Sequence, residues 1–265
     1  MLIIGERING TRKRIGQAIL ARDREHIQQE ARAQVAAGAD FVDVNAGTQP
    51  DREPEDLAWL VSTVQAAVDA PLCLDSPNPA ALEAGLAAHR GRALVNSVTA
   101  EEARARSVLP LIRRFGAQVI GLTMDDRGMP STAQARLEIA RAIVAQAAAC
   151  GIAPGDVLID PLVRPVSSEP EQPAAVLEAT AQIRASLPEV RVVYGLSNIS
   201  HGLPNRRLLN QTFLAMGLAA GLQAALLDPL DTELMAVLRA AEALLGQDEF
   251  CLNYIAAHRE GRLHA

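Results

Sequence analysis

Short apolar runs alternate with longer segments of helical periodicity from one end of the chain to the other. Several of the runs are rich in β-branched residues, and each is short enough to be a strand that is buried on both faces, as in a parallel sheet. The pattern predicts eight strands, over residues 2–4, 41–44, 72–74, 93–96, 119–122, 157–159, 192–194 and 224–227.

Between these strands, apolar residues recur every three or four positions, which is typical of helices that cover a sheet. The two clearest stripes are Leu57, Leu60, Val61, Val64 and Val68, and then Leu234, Val237, Leu238, Ala241 and Leu245. Ser131 and Asp231 are expected to cap helices at their N-termini. Gly151 and Gly221 are expected to adopt the left-handed conformation that ends a helix.

The alternation favours parallel strands joined by right-handed crossovers, and eight such units are what a closed barrel requires. We therefore predict an α/β fold, a (β/α)8 TIM barrel that forms a single domain over residues 1–265. A doubly wound open sheet would carry a glycine-rich phosphate fingerprint after its first strand, and residues 5–10 do not match it. Residues 247–265 form a predicted C-terminal extension, which either covers the barrel bottom or joins an interface through Phe250, Leu252, Tyr254 and Ile255.

Composition narrows the class of protein. A net charge of −6 and 3% aromatic residues argue against binding to nucleic acid or to an anionic membrane. Charged residues follow the first apolar positions too soon for a signal peptide, and no apolar run approaches a membrane span, so a cytoplasmic protein is expected. Cys73, Cys150 and Cys251 lack the spacing of a zinc site or a disulfide framework, so we expect free, packed thiols and no tightly bound metal.

Polar residues follow the predicted strands directly, where a barrel places its ligand site. They are Glu6, Arg7, Asn9, Asp43, Asn45, Asp75, Asn96, Asp160, Ser197, Asn198 and Asp228. Any one of them alone can be a simple cap of the next helix. Together they would converge on one opening rich in carboxylates and amides. Such a set suits a donor-rich heterocycle, because an aspartate can accept two parallel N–H bonds from a 2-amino-4-oxo-pyrimidine edge.

Six strings at these strand ends resemble one family, the methyltetrahydrofolate:corrinoid methyltransferases among the pterin-binding enzymes. They are IGERING at 4–10, CLDS at 73–76, VNS at 95–97, GLTM at 121–124, IDPL at 159–162 and GLSNIS at 195–200. They occur in the same order along nearly the whole chain. The resemblance implies a pterin in the barrel mouth, contacted at Asp75, Asn96 and Asp160, with Asn198 as the catalytic residue that approaches the pterin nitrogen N5.

The same resemblance implies a reaction and its partners. The N5-methyl group would move between methyltetrahydrofolate and the Co(I) centre of a corrinoid, cobalamin-like, that a separate corrinoid protein carries. The cobalt is the nucleophile, and N5 must gain a proton or partial positive charge to leave. An asparagine amide at position 198 can donate to N5 or accept from its N–H. The resemblance also favours a homodimer.

Several of these residues have structural interpretations as well. Asp160 precedes a proline and is typical of a turn. Asp75 is placed to cap the next helix. Glu6 and Arg7 are adjacent opposite charges that suit an ion pair.

Other nearby residues have two open roles each. Met124 lies beside the pterin face or fills a gap in the core. His201 faces the corrinoid partner or is solvated. Arg206 and Arg207 meet the glutamate tail of the folate or form a solvated helix start.

Three other functions compete with methyl transfer. Dihydropteroate synthase would need cations for its leaving pyrophosphate, including a lysine late in the barrel, whereas the only lysine here is Lys13. The folate module of methionine synthase belongs to a much longer chain. A non-catalytic folate-binding subunit would have little need for an amide directed at N5, so Asn198 argues against it.

Overall fold

Eight parallel strands close into a barrel, in sequence order, in the computed structural model, which describes residues 1–263. The predicted TIM barrel is confirmed. The last strand pairs with the first, Leu2 opposite Ala224, which closes the cylinder. The strands are β1 (Leu2–Asn9), β2 (Phe41–Asn45), β3 (Leu72–Asp75), β4 (Leu94–Val98), β5 (Gln118–Leu122), β6 (Val157–Asp160), β7 (Arg191–Gly195) and β8 (Ala224–Leu227).

Ten helices surround the barrel in the described residues, two of them after β1. They are α1 (Lys13–Ala21), α2 (Arg24–Ala36), α3 (Glu53–Gln65), α4 (Pro79–Ala88), α5 (Glu102–Phe115), α6 (Ala133–Ala149), α7 (Gln172–Ser186), α8 (Arg206–Ala220), α9 (Thr232–Leu244) and α10 (Leu252–Arg259). Short 3-10 helices span Pro154–Asp156, Leu196–Ser200 and Glu249–Cys251. None of the helices within residues 1–263 has both the length and the apolar character needed to cross a membrane.

The strands extend further toward their C-terminal ends than the apolar pattern predicts. β1 continues to Asn9 and β4 to Val98, because the ladder persists after the side chains become polar. Each of these two strands has a register irregularity, between Gly5 and Ile8 in β1 and between Asn96 and Val98 in β4. Hydrophobic patterning marks only the buried part of a strand, so it stops short of these ends.

Most predicted helix ends are confirmed, and two details are wrong. Asp231 accepts from the Leu234 amide at the start of α9, and both Gly151 and Gly221 have positive φ after a helix. Ser131 does not cap α6; the neighbouring Thr132 does, through its hydroxyl to the Ala135 amide. The apolar stripes also overrun the helices, because the last residue of each lies beyond the end of α3 or α9.

The barrel interior is filled by a single apolar layer with one side chain from each strand. These are Ile4, Phe41, Cys73, Leu94, Ile120, Leu158, Val193 and Ala224. A larger core lies between the strands and the helices. Of the three free cysteines, Cys73 packs as expected, whereas Cys251 is exposed, so the expectation that all three pack is wrong.

The C-terminal extension packs beside α9 and leaves its apolar side chains in solvent. Phe250 is 82% exposed and Leu252 is 61% exposed. The depression at the barrel bottom, lined by Met1 and Leu2, receives only Gln247 from the described part of the extension. These side chains therefore do not cover the bottom, and the interface interpretation stays a prediction. Residues 264–265 of the extension lie outside the described residues.

Candidate functional site

A cavity of about 770 Å³ opens at the C-terminal ends of the strands. Its floor follows from the apolar layer below it: moving two residues along each strand keeps the side chain on the inner face. The eight residues reached in this way all line the cavity. They are Glu6, Asp43, Asp75, Asn96, Leu122, Asp160, Gly195 and Leu226.

The four residues implied by the resemblance all lie in this cavity. Asp75 ends β3, Asp160 ends β6 and Asn96 lies within β4, whereas Asn198 lies on the 3-10 helix after β7. The other strand-end residues that line it are Glu6, Arg7, Asn9, Asp43, Ser197 and Asp228. Asn45 and Met124 are absent from its lining within the described residues, so the structure does not support Met124 beside a pterin face.

Two register irregularities explain how neighbouring residues reach the same cavity. Successive residues of a regular strand point to opposite faces, and a β-bulge interrupts that alternation. In β1 both Glu6 and Arg7 line the cavity, and in β4 both Asn96 and Ser97 do. Nothing in the sequence pattern signals either bulge.

Asp160 is both a turn residue and a cavity residue. Its Oδ1 accepts the backbone N–H of Leu162 at 2.8 Å, which confirms the turn interpretation. Leu162 has a φ of 63°, a strained conformation for a leucine, and such strain is often found at binding sites. Burial raises the pKa of Asp160 to about 6, although nearby backbone N–H groups lower it in part. Because burial disfavours the charged form of Asp160, a ligand with N–H donors would stabilise its carboxylate.

The loop after Asp160 is supported by Arg136, which the sequence did not point to. This arginine is fully buried on α6, and its Nε donates to the Pro161 carbonyl at 2.7 Å. A second guanidinium nitrogen donates to the Gln172 side chain. Burial lowers the pKa of Arg136 to about 10, so it keeps its charge at neutral pH.

Asp75 is oriented by a neighbour on the adjacent strand. Asn45 donates its Nδ2 hydrogen to Asp75 Oδ2 at 2.9 Å. Burial raises the pKa of Asp75, and this hydrogen bond lowers it in part. Asp75 does not cap α4: Asn78 does so, accepting from the Ala80 amide at 3.0 Å. The capping interpretation of Asp75 is therefore wrong.

Asp43 is the most deeply buried carboxyl group of the floor, at 2% exposure. Its Oδ1 has no hydrogen-bond partner among the described residues, although the side chain lines the cavity. Burial raises the pKa of Asp43 well above its ordinary value, and the charge of Asp75 raises it further. Asp43 is thus a buried carboxyl group beside a second one, and the repulsion between their charges favours its protonated form.

The carboxylates on the β1 and β8 side are held by arginines. Arg7 pairs with Glu30 and with Asp228, each at 2.8 Å. Glu6 accepts from the Ser197 hydroxyl at 3.1 Å and lies 3.8 Å from Arg12. Burial raises the pKa of Glu6. An ion pair between Glu6 and Arg7 is therefore wrong, because each residue of the bulge has a different partner.

Asn198 lies on the open side of the cavity, with its side chain exposed. A Cβ at position 195 would lie 2.9 Å from Asn198 Nδ2, so Gly195 leaves room for this amide. Arg206 donates to the Ser197 carbonyl at 2.7 Å and to the Ser200 hydroxyl at 3.0 Å. The helix start at Arg206 therefore fixes the short segment that carries Asn198, a role the sequence did not indicate.

The site combines carboxyl and amide groups. Within residues 1–263, no cluster of three or more histidine, cysteine, aspartate or glutamate side chains is placed to hold one. His201, Arg206 and Arg207 also line the cavity, on the β7 and β8 side. The chemistry available is hydrogen bonding to a polar, flat ligand, with cations confined to one side.

The family model described as pterin binding enzyme matches residues 5–228. The chain belongs to this family. It is 37% identical over 265 residues to the methylcorrinoid:tetrahydrofolate methyltransferase of Eubacterium limosum, which covers 99% of this chain and 98% of the relative. The resemblance seen in the six strings is thereby confirmed.

Other matches include a second relative and two solved structures. The methionine synthase of Mycobacterium tuberculosis is 32% identical over 239 residues, which are 85% of this pterin-binding enzyme but only 20% of that protein. Among solved structures, the dihydropteroate synthase of Yersinia pestis in a sulfonamide drug complex superposes with a TM-score of 0.71 at 15% identity, covering 93% and 94% of the two chains. The dihydropteroate synthase of Xanthomonas albilineans superposes with a TM-score of 0.69 at 19% sequence identity, covering 92% of each chain. At these identities the two structures support the fold alone.

Proposed function

We propose that this pterin-binding enzyme transfers the N5-methyl group between methyltetrahydrofolate and the Co(I) centre of a corrinoid carried by a partner protein. The full-length similarity to a protein named for this reaction supports the proposal. The observation that carries it is the convergence of Asp75, Asn96, Asp160 and Asn198 on one cavity. Its volume, about 770 Å³, is in the range that holds a compact organic ligand.

The floor is suited to the pyrimidine edge of the pterin. Asp160 would accept from the N3–H and the 2-amino group, and Asp75 and Asn96 would complete the bonds along the ring edge. Asp160 needs its carboxylate form for this, because a protonated carboxyl group would place a donor against the N–H groups of the ring. With its pyrimidine edge bound at the floor, the pterin would present its methyl-bearing edge to the open side, where Asn198 lies.

The transfer step is a nucleophilic displacement. The cobalt electron pair forms the bond to the methyl carbon while the carbon–N5 bond breaks, and its electron pair stays on N5, which takes a proton. Asn198 assists by donating to the N5 lone pair or accepting from its N–H, so it is a hydrogen-bonding catalyst and the proton comes from water. Its exposed position leaves the methyl group accessible to a large partner.

Two observations weigh on the competing functions. Lys13, the only lysine, lies outside the cavity lining, which disfavours dihydropteroate synthase chemistry. A non-catalytic folate-binding subunit would not need Gly195 to leave room for the Asn198 amide. Because Co(I) survives only in a reducing compartment, we also expect the enzyme to act in the cytoplasm.

The direct test mixes purified protein with methyltetrahydrofolate and chemically reduced cobalamin and follows methylcobalamin by its absorption. We expect enzyme-dependent methylcobalamin, and tetrahydrofolate should compete. Tight folate binding by calorimetry without any methylcobalamin, from free cobalamin or from a corrinoid protein, would favour the non-catalytic subunit instead.

We further propose a homodimer that covers the exposed apolar side chains near the C-terminus. Leu244 is 89% exposed, and Phe250 and Leu252 are largely exposed beside it in sequence. Isolated exposed apolar residues are ordinary, but this many in one short segment is typical of an interface. Sedimentation should give twice the chain mass for the wild type and the monomer mass for Phe250→Glu. A monomeric wild type would contradict this proposal.

A further inference from the structure

A second depression, of about 310 Å³, adjoins the mouth on the β1 side and shares Arg7 and Arg12 with it. We call it the basic groove. It is lined by Arg7, Arg12, Lys13, Arg14, Ile15, His26 and Glu30. Since two arginines line both spaces, a ligand in the cavity can continue into the groove without leaving the protein surface.

The groove concentrates positive charge in a protein whose net charge is −6. Arg7 is already paired with Glu30, and Arg12 is 3.8 Å from Glu6. Lys13 and Arg14 form no ion pair with any carboxylate in residues 1–263. Lys13 and Arg14 are therefore available to bind an anionic ligand.

The placement of these cations does not stabilise α1 itself. Lys13 and Arg14 begin α1, where the helix dipole disfavours cations, and Arg12 provides no side-chain acceptor as a cap. By contrast, α2 and α9 begin with capping aspartates, Asp23 and Asp231. The run of three cations is thus unfavourable for α1 itself, which is consistent with a role in ligand binding.

We propose that the basic groove binds the carboxylates of an oligo-γ-glutamate chain that extends from the folate in the mouth, so that the enzyme selects polyglutamylated folates. The inference rests on the proposed function. It places the glutamate tail of the folate beside the start of α1, and not beside Arg206 and Arg207 at the start of α8. Arg206 is engaged with the segment that carries Asn198, and Arg207 pairs with Asp231 at 3.5 Å. The groove is a depression that continues the ligand cavity, which favours a chain extending from the bound ligand over an acidic face of a partner protein.

The test compares methyltetrahydrofolate bearing one glutamate with the form bearing five, by calorimetry at low ionic strength. We expect the pentaglutamate to bind the wild type about 10-fold more tightly, an electrostatic advantage that salt reduces. The double variant Lys13→Gln/Arg14→Gln should lose that advantage to within about twofold, with monoglutamate affinity unchanged. Arg106→Gln/Arg114→Gln, which removes two exposed cations from α5, is the matched control and should keep it.

The outcomes separate this inference from the proposed function. Equal affinities of the two folates for the wild type would overturn the groove while leaving folate binding intact. No binding of either folate would overturn the proposed function and the groove with it. If the double variant instead slows transfer to a corrinoid protein equally with both folates, at unchanged folate affinity, the groove contacts the partner protein and the inference is wrong.

Discussion

The carboxyl groups on the two sides of the barrel mouth differ in whether they form ion pairs with arginine. On the side formed by β2 to β6, Asp43, Asp75 and Asp160 line the cavity, no basic side chain lines it, and none of the three forms an ion pair in the described residues. On the side formed by β7, β8 and β1, Glu6, Asp228 and Asp231 each lie within 4 Å of an arginine. We call these the unpaired side and the paired side.

The difference indicates which carboxyl groups are available to a ligand. Burying an unpaired carboxyl group destabilises a fold, because burial disfavours its charged form, whereas a paired carboxylate recovers much of that cost. The unpaired side therefore keeps three destabilising groups that a ligand with N–H donors would satisfy. The paired side has its charges satisfied within the protein and fixes the loops around the mouth.

The largest expected effect comes from Asp160 on the unpaired side. Asp160→Asn should weaken methyltetrahydrofolate binding by roughly 10³-fold, because two charge-assisted hydrogen bonds of about 2 kcal/mol each are lost. The asparagine keeps an oxygen for the Leu162 amide, so the turn is preserved. Calorimetry measures the affinity.

The matched control is Asp231→Asn on the paired side. Asparagine caps helices as well as aspartate does, so α9 should remain intact and affinity should change by less than about threefold. Equal losses of folate affinity in the two variants would contradict the distinction between the unpaired and the paired side.

Asn198 should affect the rate and not the affinity. With saturating folate, Asn198→Ala should slow methyl transfer by about 10²–10³-fold, because its hydrogen bond to N5 is formed chiefly in the transition state. Stopped-flow absorption of cobalamin measures this step. A wild-type rate in the variant would remove Asn198 from the chemistry.

The pH dependence of folate binding tests the charge state of the unpaired side. The pKa of Asp160 is raised to about 6 in the free protein, and the ligand needs the carboxylate. Affinity should therefore be constant well above pH 6 and fall about 10-fold for each pH unit below it. Binding measured from pH 5 to 8 checks this, and the dependence should be largely lost in Asp160→Asn. An affinity that stays constant down to pH 5 would contradict the assignment.

The smallest effect concerns stability. The pKa of Asp43 is raised in the folded protein, so its carboxyl group is most favourable for folding at low pH and that contribution is lost as the pH rises. Asp43→Asn should then raise the melting temperature of the free protein at pH 7 by roughly 2–4 °C, equivalent to about 1 kcal/mol. The gain should shrink toward pH 4. Calorimetric scans at both pH values measure it, and a loss of stability at pH 7 would show that the Asp43 carboxyl group does not destabilise the fold.

The residues of the cavity floor could be predicted from the sequence more readily than the residues around it. Each floor residue follows an apolar residue by two positions, as Asp75 follows Cys73 and Asp160 follows Leu158, so strand periodicity brings them to one face. The same rule places Asp43 in the cavity, whereas its position after a predicted strand allowed it to be either a site residue or a helix cap. Arg136 gave no such signal, because its contact with the Pro161 carbonyl joins two segments that are unrelated in local pattern.

The sequence by itself determined the eight alternating units, the family and the chemical types of the side chains at the strand ends, because periodicity and short strings are local properties. Only the tertiary structure decided which carboxyl groups are paired, where the two bulges place Arg7 and Ser97, and that the cations of α1 adjoin the mouth. These depend on distances of a few ångströms between segments far apart in the chain, and Coulomb energies and burial costs change steeply over that range.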